Sequence, residues 1–199
     1  MNASRQLSAF LEGLLLLILA VLLQGIFVKS LAEAGFSLDI GLVLILLYSF
    51  RRGFKAGLVQ GLFYGLALAY GLGFFAGQPV GVLAFAVVGA SLGLAGLFAR
   101  NLQRTLYNRR LSSVYLNLVT GTLLALLAFY LLGFLSLAFF QGQVELNILG
   151  MKVLGLRFLL NLGLSLVLLI LMLNVSTRFF IPRQSPFISR RERSHLLND

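Results

Sequence analysis

Six apolar blocks, at about residues 7–28, 38–50, 54–76, 80–99, 114–140 and 148–180, account for most of this chain and leave few residues between them. Most reach the ~20 residues needed to cross a ~30 Å hydrocarbon layer as a helix. A water-soluble core has no place for so much apolar surface: 59% of residues are hydrophobic, 11% are charged and the mean hydropathy is +0.97. In lipid every backbone N–H and C=O must be satisfied within the structure, and the blocks lack the two-residue alternation of a transmembrane barrel. The expected fold is therefore an all-α integral membrane protein, a six-transmembrane-helix bundle. It comprises a membrane domain over residues 1–181 and a basic cytoplasmic tail over 182–199. The first block is longer than a signal-peptide core and is followed by no small-x-small cleavage pattern, so it reads as a retained span. The absence of cysteine excludes disulfide, thiolate and iron–sulfur chemistry.

Two blocks depart from standard length. The second holds thirteen residues, about 20 Å at 1.5 Å per residue, which implies local thinning of the bilayer or an extension through Gly35. Asp39 at its start has the character of an N-cap, and Gly53 permits a tight reversal into the third block. The last block is overlong, with Lys152 and Arg157 snorkelling at the outer interface. Gly77-Gln78-Pro79 reads as a tight outer turn that makes spans three and four antiparallel neighbours.

Counting Lys and Arg by loop orients the bundle. Arg5, Arg51, Arg52, Lys55, Arg100, Arg104, Arg109, Arg110, Arg178, Arg183, Arg190, Arg191 and Arg193 fall on one side, and only Lys29, Lys152 and Arg157 on the other, together all 16 basic residues. Both termini are thus expected in the cytoplasm, in a bacterial inner membrane. Of the basic residues, Arg51, Arg52, Lys55, Arg100, Arg104, Arg109 and Arg110 are candidates for cytoplasmic contacts, including those with anionic membrane lipids. Residues 100–110 read as an amphipathic extension with Leu102, Leu106 and Tyr107 on one face. No aromatic-interleaved soluble module carries these charges, so nucleic acid is not an expected partner.

The basic corner Arg51-Arg52-Gly53 runs into a helix with glycines at 57, 61 and 65. Four-residue spacing places them in one groove where another backbone can approach closely. Gly57, Gly61 and Gly65 with Gly89 and Gly93 fit a crossing of spans three and four. A groove for a partner's single transmembrane helix is the alternative.

Chemistry is poorly furnished. No pair of carboxylates, no metal-spaced cluster and no nucleophilic triad is present, and the single histidine, His195, lies in the tail. Neither catalysis nor a cofactor is expected. Glu12 reads as an interfacial carboxylate favoured by a helix N-terminus, or as an inward-facing contact to a partner's basic residue or a site acid. Asp39 reads as a helix cap, or as a site for a cationic ligand or a partner's periplasmic segment. Gln60, Tyr64, Tyr70, Ser91, Asn117, Thr120, Thr122, Tyr130, Asn161, Ser165 and Asn174 are polar in mid-span. They fit interhelical hydrogen bonds better than a small-molecule pocket, because they come with few convergent charges.

The stretch Leu38-Asp39-Ile40, the apolar run to Phe50, the basic corner, the glycines at 57, 61 and 65, and then Gly81 and Gly89 resemble the rod shape-determining protein MreD family over about residues 38–99. The resemblance implies a non-enzymatic inner-membrane scaffold of the cell-wall elongation complex. Its partners would be an MreC-like single-span protein, the transpeptidase PBP2, the glycosyltransferase RodA and the MreB filament. One position departs: that family often has an Asp four residues after the last glycine of span three, where this chain has Ala69. The family is also similar in fold to the substrate-binding S components of energy-coupling-factor vitamin transporters, which supplies the alternative function, a vitamin-capture subunit. Span one lacks the alanine-x-x-x-alanine pattern by which such components dock their membrane partner.

Overall fold

The computed structural model describes residues 3–32, 39–76, 82–108, 110–141, 148–175 and 180. The expected turn at Gly77-Gln78-Pro79, Gly81, Arg109 and the tail over 182–199 lie outside the described residues. The described residues form helices α1 (Ala3–Ala32), α2 (Ile40–Arg52), α3 (Phe54–Ala76), α4 (Val82–Ala90), α5 (Ala99–Tyr107), α6 (Leu111–Gln141) and α7 (Ile148–Val175), with a 3-10 helix at Ser91–Leu97 between α4 and α5. Three stretches, Ala84–Tyr107, Leu111–Ser136 and Leu154–Val175, are long and apolar enough to cross a membrane, and Phe10–Gly25 and Phe54–Ala69 are shorter apolar helical stretches.

The short second block has a physical explanation in its position. α2 lies inside the bundle, packed by α1, α3, α7 and the 3-10 segment, and Leu42, Ile45, Leu46 and Phe50 are fully buried. A helix apolar on every side is a core helix. Its neighbours face the lipid in its place, so its length need not match the bilayer. α1 shows the opposite pattern: Phe10, Leu15, Ile18 and Leu22 are exposed, whereas Ala20 and Gln24 are buried toward the bundle.

α2 and α3 are joined at Gly53, whose φ of 90° is open to glycine and strained for other residues. The Gly53 N–H closes the end of α2 on the Ser49 carbonyl at 2.9 Å. From this corner α3 runs antiparallel to α4 and the 3-10 segment with their backbones in direct contact. A Cβ built at Gly61 would fall on the Gly89 carbonyl, one at Gly65 on the Phe85 carbonyl, and one at Gly93 on the backbone of Leu58 and Gly57. One at Gly96 would lie 2.5 Å from the Gly53 carbonyl carbon. The glycine step shortens from four residues (89 to 93) to three (93 to 96) where the α-helix gives way to a 3-10 helix of three residues per turn. The block expected over 80–99 thus contains a 3-10 segment. Seven residues at about 2.0 Å rise in place of 1.5 Å add about 3.5 Å of reach, which keeps the later glycines opposite the start of α3.

Candidate functional site

The two ends of the α1–α2 contact carry different polar groups. At one end Glu12 of α1 meets both arginines of the corner: Arg51 Nη1 lies 2.7 Å from Glu12 Oε1, and Arg52 Nη2 pairs with Glu12 Oε2. Beside this pair, Gln60 Nε2 donates to the Gly13 carbonyl at 2.5 Å, and Gln103 of α5 donates to the Arg51 carbonyl at 3.1 Å. Glu12 is thus the counterion of the basic corner, which corrects its reading as a carboxylate held by the helix dipole alone. Arg51 and Arg52 pair with Glu12, and the side chains of Lys55, Arg100, Arg104 and Arg110 are exposed. Leu102 and Leu106 turn inward from α5 as an amphipathic helix requires.

At the other end Asp39 occupies the N-cap position of α2 but makes no side-chain cap hydrogen bond. Gln24 of α1 does that work from outside the helix: its Oε1 accepts from the Gly41 N–H at 3.2 Å. A backbone N–H can only donate, so the amide orientation is determined, and Nε2 is left to donate to Asp39 Oδ1 at 2.7 Å. Asn161 of α7 is oriented in the same way. Its Oδ1 accepts the Asp39 N–H at 2.8 Å, so its Nδ2 faces the Tyr130 hydroxyl of α6 at 2.6 Å and the Arg157 carbonyl at 3.1 Å. Having accepted from Asn161, the Tyr130 hydroxyl donates to Asp39 Oδ2 at 3.4 Å. Gln24 and Asn161 are both buried.

Aromatic rings border this cluster. Tyr130 meets Phe129 edge-to-face at 5.5 Å and Phe158 at 5.7 Å. Tyr64 is buried, and its hydroxyl lies 2.6 Å from where a Cβ at position 41 would stand, so Gly41 is required for α1, α2 and α3 to converge here. The cluster therefore draws on α1, α2, α3, α6 and α7, with a single half-buried carboxylate at its centre. Such an arrangement suits an organic cation: a carboxylate for charge, oriented amides for hydrogen bonds and aromatic rings for a delocalised ring system. Among the described residues no group of acidic or histidine side chains is placed to hold a metal ion.

The expectation that Asp39 serves as its own helix cap is thus corrected. The mid-span polar residues are used in several ways: Gln60 bonds the Gly13 carbonyl, and Thr122 and Ser165 are buried without a hydrogen-bond partner among the described residues. Tyr64, Tyr130 and Asn161 converge around Asp39, while Ser91 and Asn117 bond their own helices at the Val88 and Ser113 carbonyls. Thr120 and Asn174 are exposed. Gln24 escaped the sequence reading, although it is the only amide in the apolar run 7–28.

An all-helical membrane bundle with a polar site at one end is compatible with small-molecule transport, and the family match places the chain among transport proteins. The fold matches a solved structure of ThiT from Listeria monocytogenes with a TM-score of 0.70 over 89% of this chain and 100% of that one, at 18% sequence identity. The thiamine transporter protein family (Thia_YuaJ) matches residues 10–188, and the chain belongs to that family. The thiamine transporter ThiT of Bacillus subtilis strain 168 is 33% identical over 148 residues, 72% of this chain and 76% of that protein. The family is one of membrane transporters, not enzymes, and places the chain among multi-pass proteins of the bacterial inner membrane.

This overturns the resemblance to the MreD family and, with it, the elongation-complex scaffold and its partners MreC, PBP2, RodA and MreB. Beyond Leu38-Asp39-Ile40 and the apolar run after it, the shared signature consisted of a basic corner and a glycine ladder. Those features specify topology and close helix packing and carry no functional chemistry. Ala69, a departure from the MreD pattern, is a small buried residue one turn beyond Gly65.

Proposed function

We propose that this chain is the substrate-binding S component of an energy-coupling-factor vitamin transporter, and that thiamine is its substrate. The observation that carries this reading is the Asp39 carboxylate, relieved of capping by Gln24 and surrounded by Tyr130, Asn161 and Tyr64. Thiamine is a permanent cation with two heteroaromatic rings. Asp39 supplies the opposite charge, the amides of Gln24 and Asn161 supply hydrogen bonds, and Tyr130 with Phe158 supplies ring contacts.

In this reading the six blocks are six crossings within residues 1–181, with both termini and the tail over 182–199 in the cytoplasm. The Asp39 end then faces outward. Arg51, Arg52, Lys55, Arg100, Arg104, Arg109 and Arg110 lie on the cytoplasmic side, as the positive-inside rule requires. Gly57, Gly61, Gly65, Gly89 and Gly93 serve packing between spans three and four and offer no groove to a partner. The partners are the membrane and ATPase subunits of the transporter, in place of cell-wall enzymes.

The test is calorimetric titration of the purified protein with thiamine. One-to-one binding is expected, and Asp39→Asn should weaken it roughly tenfold to a hundredfold through loss of a charge-assisted contact worth about 1.5–3 kcal/mol. Absence of binding to the unmodified protein refutes the reading. Copurification of an ATPase module after mild solubilisation tests the assembly separately.

A further inference from the structure

The Glu12 end of the bundle gathers more cations than carboxylates. Glu12 divides its two oxygens between Arg51 and Arg52, so one anion answers two guanidiniums. Gln103 donates to the Arg51 carbonyl at 3.1 Å, which seats α5 against the end of α2. A Cβ at Gly96 would lie 2.5 Å from both the Gly53 carbonyl carbon and the Phe54 nitrogen, so the 3-10 segment ends against the start of α3, where Lys55 stands. The Arg110 N–H donates to the Thr105 carbonyl at 3.0 Å, folding the link to α6 back onto α5. Lys55, Arg104 and Arg110 are therefore carried by segments that meet at one end, and all three side chains are exposed. No Asp or Glu occurs in the sequence between Asp39 and Glu145, so these segments bring no carboxylate of their own. The tail brings no surplus either: Arg183, Arg190, Arg191 and Arg193 outnumber Glu192 and Asp199.

The apolar surface beside these cations identifies the anion they fit. Phe54 precedes Lys55 and Leu111 follows Arg110, and both are exposed. From Leu111 a slanting ridge of exposed side chains at four-residue spacing, Tyr115, Val119, Leu123 and Leu127, runs along α6. At 1.5 Å per residue the ridge is about 24 Å long, more than the ~15 Å depth of one leaflet of the hydrocarbon layer. A free anion would use the charges and leave the ridge idle, whereas a diacyl lipid uses both. We propose that Lys55, Arg104 and Arg110 form a selective site for an anionic phospholipid such as phosphatidylglycerol, with its phosphate among the cations and an acyl chain along the α6 ridge. The arginines present paired N–H donors that match phosphate oxygens, and the lysine adds a point charge. The site is independent of what the Asp39 end binds, so failure of the thiamine reading leaves it standing.

The experiment is native mass spectrometry of the full-length protein in detergent, titrated with phosphatidylglycerol and with phosphatidylcholine of the same acyl chains. The unmodified protein should retain the anionic lipid severalfold more tightly, and added salt should shrink the difference. Each cation near the surface is worth about fivefold. Lys55→Gln, Arg104→Gln and Arg110→Gln combined should therefore lower phosphatidylglycerol retention on the order of tenfold to a hundredfold and leave phosphatidylcholine unchanged. Lys152→Gln with Arg157→Gln, at the end assigned to the opposite side, is the control and should alter neither lipid. All five positions are exposed, and monodispersity on size exclusion checks that each variant folds. Equal retention of the two lipids by the unmodified protein, or an unchanged preference in the triple variant, overturns the inference. An equal loss in the control variant does the same. Displacement of phosphatidylglycerol by millimolar inorganic phosphate would assign the cations to a free anion and also overturn it. Unchanged lipid retention in the triple variant, with loss of a copurifying ATPase module, would assign the surface to a protein partner instead.

Discussion

Replacing Gly61 by alanine adds a single methyl group at the closest backbone approach in the bundle. The new Cβ would fall on the Gly89 carbonyl oxygen, 2.9 Å from the carbonyl carbon and 3.2 Å from the Ala90 Cα. All three are backbone atoms of a packed helix, so no side chain can rotate away. Relief requires α3 and α4 to part by about half an ångström or more, and Gly65 and Gly93 hold the same seam closed on either side. Overpacking of this kind costs about 1–3 kcal/mol. Gly163→Ala on α7 is the matched control: its Cβ meets nothing within 4 Å, and alanine in a helix gains about 0.5–1 kcal/mol over glycine. The two variants should therefore differ by about 2–4 kcal/mol. At about 2–4 °C per kcal/mol for a chain of this size, their midpoints should separate by on the order of 10 °C when heated aliquots are assayed for monodisperse protein by size exclusion in detergent. Gly61→Ala melting together with Gly163→Ala would refute the claim that the α3–α4 seam is closed backbone to backbone.

Two further substitutions test the polar groups at the ends of α1. Gln24→Ala removes the cap that α1 supplies to α2 and should lower stability by about 0.5–2 kcal/mol. It should also weaken thiamine binding severalfold as the Asp39 carboxylate turns to cap its own helix; calorimetry showing unchanged affinity would mean that Gln24 does not hold the carboxylate in place. Glu12→Gln leaves two adjacent guanidiniums without their counterion and should cost about 1–3 kcal/mol in thermal unfolding. That cost should shrink in high salt, because the group is partly exposed and ions screen the repulsion; a loss that does not respond to salt would point to packing instead.

Much of the architecture was legible because it depends on properties local to the sequence. Apolar length announces helices in lipid, glycines spaced by four announce a close crossing, and Gly53 after two arginines announces a sharp corner. The change to a 3-10 helix at Ser91–Leu97 was less legible, since nothing in a uniformly apolar segment marks the altered rise except the shortened step from Gly93 to Gly96. The candidate site was the least legible part. Gln24, Asp39, Tyr64, Tyr130 and Asn161 come from five helices, and each taken alone fits a cap or an interhelical hydrogen bond.

The mistaken family follows from the same division. A bundle of this kind needs its glycine seam and its basic corner whatever it carries, so chains with different functions can share both. What separates them is how a few polar groups are used, and Asp39 is the decisive case. An aspartate in an N-cap position normally satisfies the first N–H groups of its own helix, and sequence alone assigns it that duty. Here a glutamine from α1 takes the duty over, and the carboxylate, which accepts from Gln24 and Tyr130, is in the proposed reading the counter-charge of a cation. In the proposed reading the functional signal in this chain is therefore the pairing of Gln24 with Asp39, fifteen residues apart. A search for binding sites in membrane bundles of this kind should look for helix caps supplied by a neighbouring helix, because each one releases the residue that would otherwise have done the capping.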